Sequence, residues 1–456
     1  MEGKWMARHA SNLFKNRSTT KEFLFSHSDE ITDDGNAQEV LTRRESAAAP
    51  SPDRRFSDMQ DRQGLVHAID TQLASAATLC AIAVRIEGSS RVKADNVKKA
   101  VVPEDAATVI ATLCRTYEGT WARIGPERFA CVFPHLTAAD GHGLAQQLFD
   151  AVPEAENPPF TIGVAAYPTI NYTRTQLIDN AEKALEHACF FGPGTITGFD
   201  AVSLNISGDR FYQAGDIAGA ISEYKKGLLL DPADANLHNS LGVCHGVLKD
   251  FDNALSAFEH AIWLSPQEVM AIYNKGYILL LKGNLEEALG CFLKADTCEP
   301  NVFEVIFHIG QILVEMGATE KARPYLEAAT LANNRSGPAF KSLGACLENL
   351  GSTKDAIQAY KSAVKINPGD AESLSLLGRL YTERGESLDV ASVLCEQSVR
   401  LSPDNGLFRH RLGHVFLNQG KLNHALAEFE LAAAMGHDSQ PQIEETQDRM
   451  TASRAS

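Results

Sequence analysis

GVCHGVLKDFDNALSAFEHAIWLSP occupies residues 242–266, and GYILLLKGNLEEALGCFLKADTCEP stands at 276–300, in the same register 34 residues later. Each stretch opens on glycine, carries alanine twelve positions on (Ala254, Ala288), then a bulky apolar residue four further (Phe258, Phe292), and closes on proline (Pro266, Pro300). Working outward, glycines recur at Gly208, Gly242, Gly276, Gly310, Gly344 and Gly378, each 34 residues apart, and Gly413 follows after 35. Alanines at Ala220, Ala322 and Ala356, bulky residues at Tyr224, Leu326 and Tyr360, and prolines at Pro232 and Pro368 keep the same phase. Two helices of about 12–14 residues cross closely only where one carries a small side chain at the contact, and the bulky residue fills the space beside that crossing. Proline stops the second helix. A second glycine before the turn (Gly215, Gly283, Gly317, Gly351, Gly385, Gly420) supplies the left-handed cap conformation. Each unit therefore reads helix, turn, helix.

These residues resemble the tetratricopeptide (TPR) family over about residues 201–436, in seven units. The sixth unit has one inserted residue near Glu386–Ala391, which predicts a local bulge. After Gly436, HDSQPQIEETQDRM reads as the solvating end helix that a stacked array needs over its last apolar face, within a 437–456 tail. The resemblance implies a groove lined by the first helix of each unit and an unidentified protein or peptide as partner. Its candidate residues are Asn239, Val243, Tyr273, Tyr277, Phe307, Gln311, Lys341, Arg379 and Thr382. The clamp with which some TPR proteins hold a C-terminal carboxylate is not reproduced, since only Lys341 has the right type at its place.

Upstream, the chain changes character. Residues 1–60, rich in Ser, Thr, Asp, Arg and Ala, read as a disordered segment, with a short apolar-faced helix at Lys4–Phe14 as a weaker alternative. Residues 61–200 alternate strand-like and helix-like runs: LCAIAVRI at 79–86, an amphipathic stretch at 104–117, WARIGPERFACVF at 121–133, a helix near 138–150, FTIGVAAY at 160–167, a helix near 175–191, and ITGF at 196–199. Gly125-Pro126 marks a hairpin turn between two apolar runs. The expected fold class is multidomain α+β: an α/β domain with a central sheet, then an all-α TPR solenoid.

Arg123-Ile124-Gly125-Pro126-Glu127-Arg128-Phe129 resembles the signature R-x-G-G-[DE]-E-F hairpin of the GGDEF family, the diguanylate cyclases, and the likeness extends over about 140 residues. The resemblance implies a GTP-condensing domain whose carboxylates hold magnesium or manganese. Here the residues depart from it. The metal-binding glutamate is Arg128, the second glycine is Pro126, and the main metal aspartate at the end of the first strand falls on Arg85 of Arg85-Ile86-Glu87. The guanine-reading asparagine falls near Lys93, and the inhibitory product site near Thr116 and Gly119. A cation replaces an acceptor of magnesium, and proline removes a phosphate-binding amide. The domain is thus expected to be catalytically inactive, with Glu127 a turn residue. Arg85 and Arg128 are left as a possible anion or guanine-nucleotide contact. A GTP or cyclic di-GMP receptor is the alternative, and an active cyclase a more distant one.

The remaining totals bound the function further. Among 456 residues the formal charge is -16 without a clustered basic surface, which argues against nucleic acid. Nine cysteines with no CxxC pair fit neither a zinc ribbon nor a paired disulfide framework, and read as small apolar residues in a reducing cytoplasm. No membrane partner is expected, because no window approaches 18 uninterrupted apolar residues. His410 and His414 are spaced i,i+4, as zinc ligands on one helical face would be, but no third ligand is in sight in the sequence and a surface or packing role is expected. No GxSxG, Walker A or Rossmann fingerprint occurs, and neither cofactor nor metal is assigned. The chain reads as a cytoplasmic, non-enzymatic scaffold or signalling adaptor.

Overall fold

The computed structural model describes residues 56–86, 103–151 and 160–455. The expectations for residues 1–55, including the Lys4–Phe14 helix, and those for Glu87 and Lys93 lie outside these. The chain divides into two compact units, one reaching to Pro266 and one beginning at Gln267.

Among the described residues of the first unit, helix α1 (Arg62–Thr71) comes first, capped by the Asp61 carboxylate, which accepts from the Gly64 amide at 2.7 Å. Sequence periodicity did not indicate this helix, because only Leu65, Ala68 and Ile69 of its ten residues are buried. Strand β1 (Leu79–Ile86) follows, then α2 (Pro103–Thr116), β2 (Thr120–Gly125), β3 (Arg128–Pro134), α3 (Ala138–Asp150), β4 (Phe160–Tyr167), α4 (Leu177–Phe191) and β5 (Ile196–Gly198). The strands form one sheet in the order β2-β3-β1-β4-β5, antiparallel except for the parallel β4–β5 pair. Within it, β1 to β4 make the β-α-β-β-α-β run of a split βαβ sandwich.

Strand β1 is central, and its unbroken apolar run follows from burial on both faces. Cys80, Ile82, Val84 and Ile86 pack with Ile110 of α2, Leu144 and Leu148 of α3, and the aromatic rings of Trp121, Phe129, Phe133 and Phe160. Leu79, Ala81 and Ala83 face the opposite way, toward Leu65 and Ile69 of α1 and Ile178, Ala181 and Leu185 of α4. The second face is built from small residues because α4 comes close: a Cβ on Gly163 would lie 2.0 Å from the Leu185 amide nitrogen.

Two helix pairs complete this unit, α5 (Ala201–Gln213) with α6 (Ile217–Leu230) and α7 (Ala235–Val247) with α8 (Phe251–Leu264). The second unit holds five more pairs. They are α9 (Val269–Leu281) with α10 (Leu285–Cys298), α11 (Phe303–Glu315) with α12 (Thr319–Ala332), and α13 (Gly337–Asn349) with α14 (Thr353–Ile366). Then come α15 (Ala371–Glu383) with α16 (Leu388–Leu401), α17 (Gly406–Asn418) with α18 (Leu422–Ala434), and a closing helix α19 (Gln440–Ala455).

The periodic glycines are helix-crossing points. A Cβ on Gly208 would sit 2.3 Å from the Tyr224 ring, and one on Gly242 2.5 Å from that of Phe258. The turn glycines are left-handed, and at the one turn without glycine Lys249 adopts φ 59° instead. In the sixth pair the inserted residue is absorbed before α16, where Ser387 takes φ 51° and restores Ala391 to full burial.

Candidate functional site

The β2–β3 hairpin is held from within by Arg123. Its Nε donates to the Gly125 carbonyl at 3.2 Å, its Nη2 donates to the Pro126 carbonyl, and its guanidinium lies 5.7 Å from the centre of the Phe129 ring. Phe129 itself is buried against Trp121, so the aromatic end of the motif is a core residue. The Ile86 amide donates to the Glu127 carbonyl at 2.9 Å, tying the turn to the end of β1.

Arg85 and Arg128 are direct register partners across β1 and β3. Arg128 Nη2 lies 3.0 Å from Glu186 Oε1 on α4, and the same oxygen lies 3.5 Å from Arg210 Nη1 on α5. Arg128 is therefore a cation in an ion-pair chain from the sheet to the first helix pair. Thr116 ends α2, and Gly119 is packed so tightly on Phe133 that a Cβ would meet the ring at 2.5 Å. Arg115 pairs with Asp58 through both Nε (3.0 Å) and Nη2 (3.1 Å). Among the described residues no group of three or more His, Cys, Asp or Glu side chains is arranged to hold a metal ion.

A second polar cluster joins α4 to α6. The buried Glu223 of α6 pairs with Lys183 of α4 and, at 3.1 Å, with Lys226. Burial acts to raise its pKa, yet these ammonium groups hold it below the ordinary value. Both lysines lie over the Tyr172 ring, at 5.7 and 5.5 Å. Sequence reasoning missed this cluster, whose members come from three separate segments.

The expected groove residues divide by burial. Asn239 and Val243, in the first unit, are buried, as are Tyr273, Phe307 and Thr382 in the second. The division follows from helix geometry: one position turns a side chain by about 100°, enough to carry it from the surface into the packing between neighbouring helices. Thr382 spends its hydroxyl on the Gly378 carbonyl at 2.8 Å. Tyr277, Gln311, Lys341 and Arg379 remain partly exposed.

Around them, His308 is enclosed by the rings of Tyr273, Tyr277, Phe292 and Phe307 at 5.3–5.8 Å, with Nδ1 3.1 Å from Gln311 Oε1. Burial pushes its pKa down to about 4. Further along, Lys341 pairs with Glu372 at 2.8 Å, and Arg379 pairs with Glu348 and, at 2.7 Å, with Glu383. This surface thus runs from aromatic to balanced ionic character.

The second helices carry a signal that sequence reasoning passed over. Leu229 and Trp263 in the first unit and Leu331 in the second occupy the same repeat phase and are exposed, Trp263 by 78% and Leu331 by 84%. No described helix is long and apolar enough to cross a membrane.

The helix pairs match family models. Residues 208–246 match a model described as a TPR repeat, and residues 247–301 and 308–371 one described as a tetratricopeptide repeat. The chain thus carries tetratricopeptide repeats, an architecture that serves protein–protein interaction. A BBSome complex member BBS4 homolog of Drosophila melanogaster is 35% identical over 65 residues, which is 14% of this chain and 13% of that relative. Among solved structures, YrrB, described as a TPR protein with an unusual peptide-binding site, is 22% identical at a TM-score of 0.38, covering 41% of this chain and 96% of its own. The pilF protein of Pseudomonas aeruginosa is also 22% identical, at a TM-score of 0.43, covering 46% and 95%.

Proposed function

We propose that this chain is a non-enzymatic, cytoplasmic interaction scaffold in which a degenerate GGDEF-like sheet domain precedes TPR helix pairs that hold a protein or peptide. The observation that carries the non-enzymatic half is Arg128. A metal ligand at that place would need a carboxylate, whereas this residue is a cation committed to Glu186 at 3.0 Å. The binding half rests on the repeats and on the graded surface of Tyr277, Gln311, Lys341 and Arg379, which offers an aromatic platform beside polar groups.

Two assays on the full chain test this reading. Incubation with GTP and magnesium is expected to yield no cyclic dinucleotide, and product formation would overturn it. Crosslinking capture from the native host is expected to retain a defined partner that the Tyr277→Ala/Arg379→Ala double variant loses. Retention by that variant would remove these residues from the binding surface.

A second reading is favoured by the cross-strand neighbours Arg85 and Arg128, two guanidinium-bearing residues at one end of the sheet. In it the sheet domain binds a guanine nucleotide without turnover. Calorimetric titration with GTP and cyclic di-GMP separates the two: saturable binding lost in Arg128→Ala supports the receptor, and its absence leaves the scaffold.

A further inference from the structure

In the second unit, neighbouring first helices are joined side to side by polar contacts. Gln311 of α11 donates to the Ser342 hydroxyl of α13 at 3.4 Å. Between α13 and α15, Lys341 meets Glu372 at 2.8 Å and Asp370 at 3.8 Å, and Arg379 meets Glu348. Arg379 also holds Glu383 at 2.7 Å, so both of these cations are matched by carboxylates. Between α15 and α17 the match fails. Arg411 is half-buried, and its Nη1 donates at 3.0 Å to the hydroxyl of Ser375, a neutral group on a residue with no exposed surface. Among the described residues no carboxylate stands at ion-pair distance from this guanidinium, and its enclosed Nε has no acceptor. A cation taken out of water gains little Coulombic return from a hydroxyl. Burial, then the neighbouring Arg379, push the Arg411 pKa below its ordinary value, against the smaller opposite pull of Cys395, Glu348 and Glu372. Glu348, Glu372 and Glu383 are already engaged, so none of them reaches Arg411 without stripping Arg379 or Lys341.

We propose that Arg411 anchors a carboxylate brought by the bound protein or peptide, whose oxygens take guanidinium donors that the fold leaves without an acceptor. This rests on the reading that first-helix residues of the repeats form the binding surface, and it names the partner's chemistry there: an acidic side chain or a free C-terminus. Guanidinium and carboxylate suit each other because both are planar and can share two parallel hydrogen bonds. The formal charge of -16 opposes an acidic partner at long range. At about 0.15 M ionic strength, however, charges on the surface are screened beyond about 8 Å, and the contact at Arg411 decides.

Two fluorescently labelled probes test this on the full chain at that ionic strength: amide-capped hexaglutamate, whose carboxylates are all on side chains, and hexaglutamine with a free C-terminus. Anisotropy is expected to show saturable binding of at least one, weakened at least about tenfold in Arg411→Gln. Binding should be unchanged in Arg400→Gln, which removes the same charge from an exposed position on the second helix α16. The probe that binds identifies the source of the carboxylate. Binding of neither, or an equal loss in the two variants, overturns the anchor. The scaffold reading is judged separately: a captured partner still lost in Tyr277→Ala/Arg379→Ala leaves it standing without Arg411. Thermal melting supplies a readout in which folding itself is measured. Arg409 of the same helix pairs with Glu428 at 3.1 Å, so Arg409→Gln should lower the Tm. Arg411→Gln should leave it unchanged or raise it, since no carboxylate is orphaned. An equal drop in Arg411→Gln would make this arginine structural and overturn the proposal.

Discussion

At the scale of single residues, glycines that look alike in sequence have opposite physical roles. Gly344 lies where α13 crosses α14, and a Cβ there would be 2.7 Å from the ring of Tyr360, which is buried and cannot swing away. Gly344→Ala should therefore destabilise the chain by about 1–3 kcal/mol, as overpacking does. Gly290 is inside α10 with nothing within 4 Å of its would-be Cβ, so Gly290→Ala should add about 0.5–1 kcal/mol through helix propensity alone. Urea unfolding of the two variants checks both signs, and two equal shifts would contradict the assignment. His308 offers a pH test at the same scale. Burial lowers its pKa from 6.5 to about 4, so below pH 6.5 the unfolded chain takes up a proton that the folded chain refuses. Stability is then lost as pH falls from about 6.5 toward about 4, by up to about 3 kcal/mol, and levels off below. His308→Phe should flatten that part of the stability profile, and an identical profile in the variant would place the proton elsewhere.

At the scale of elements, the β2–β3 hairpin is held together by residues with structural roles. Phe129 packs on Trp121, Arg123 bonds the turn carbonyls, and Arg128 reaches Glu186 on α4. Replacing Arg128 by alanine should cost about 1 kcal/mol, and a double-mutant cycle with Glu186→Ala should recover most of that cost as coupling. On the proposed non-enzymatic reading, Arg128→Glu should yield no cyclase product from GTP and magnesium, because Arg85 and Pro126 are unaltered; detectable product from this single variant would falsify that reading. The legibility of the chain follows the same division. The strands and α2 to α4 were readable because their periodicity is set by burial on one or both sides of a sheet, and the repeats because one contact recurs every 34 residues. Helix α1 escaped notice because three buried side chains leave little pattern. Five of the nine expected groove residues are buried, because repeat phase names the helix but leaves its facing undetermined, and Tyr273 and Phe307 turn inward. The missing carboxylate at Arg411 was invisible in the sequence because its neighbour Ser375 comes from α15, 36 residues away.

At the scale of the whole molecule, a repeat array distributes its stability through nearest-neighbour interfaces, so its ends matter more than their size suggests. Helix α19 has a largely polar sequence, yet Ile443 joins the core of the last pairs with Leu412, Val415, Phe416 and Phe429, and Ser439 and Thr446 are fully buried. Removing residues 437–456 would uncover that apolar face and delete the Ser439 hydroxyl that meets His410. In a one-dimensional chain of interfaces the loss is felt first by the adjoining pair and fades with distance. Hydrogen exchange of the truncated chain should therefore accelerate in α17 and α18, less in α15 and α16, and scarcely at all in β1 or α5. Uniform acceleration from sheet to terminus would instead mean that the chain unfolds as a single cooperative body. A pattern graded from the cut end would show that the closing helix acts as a local cap.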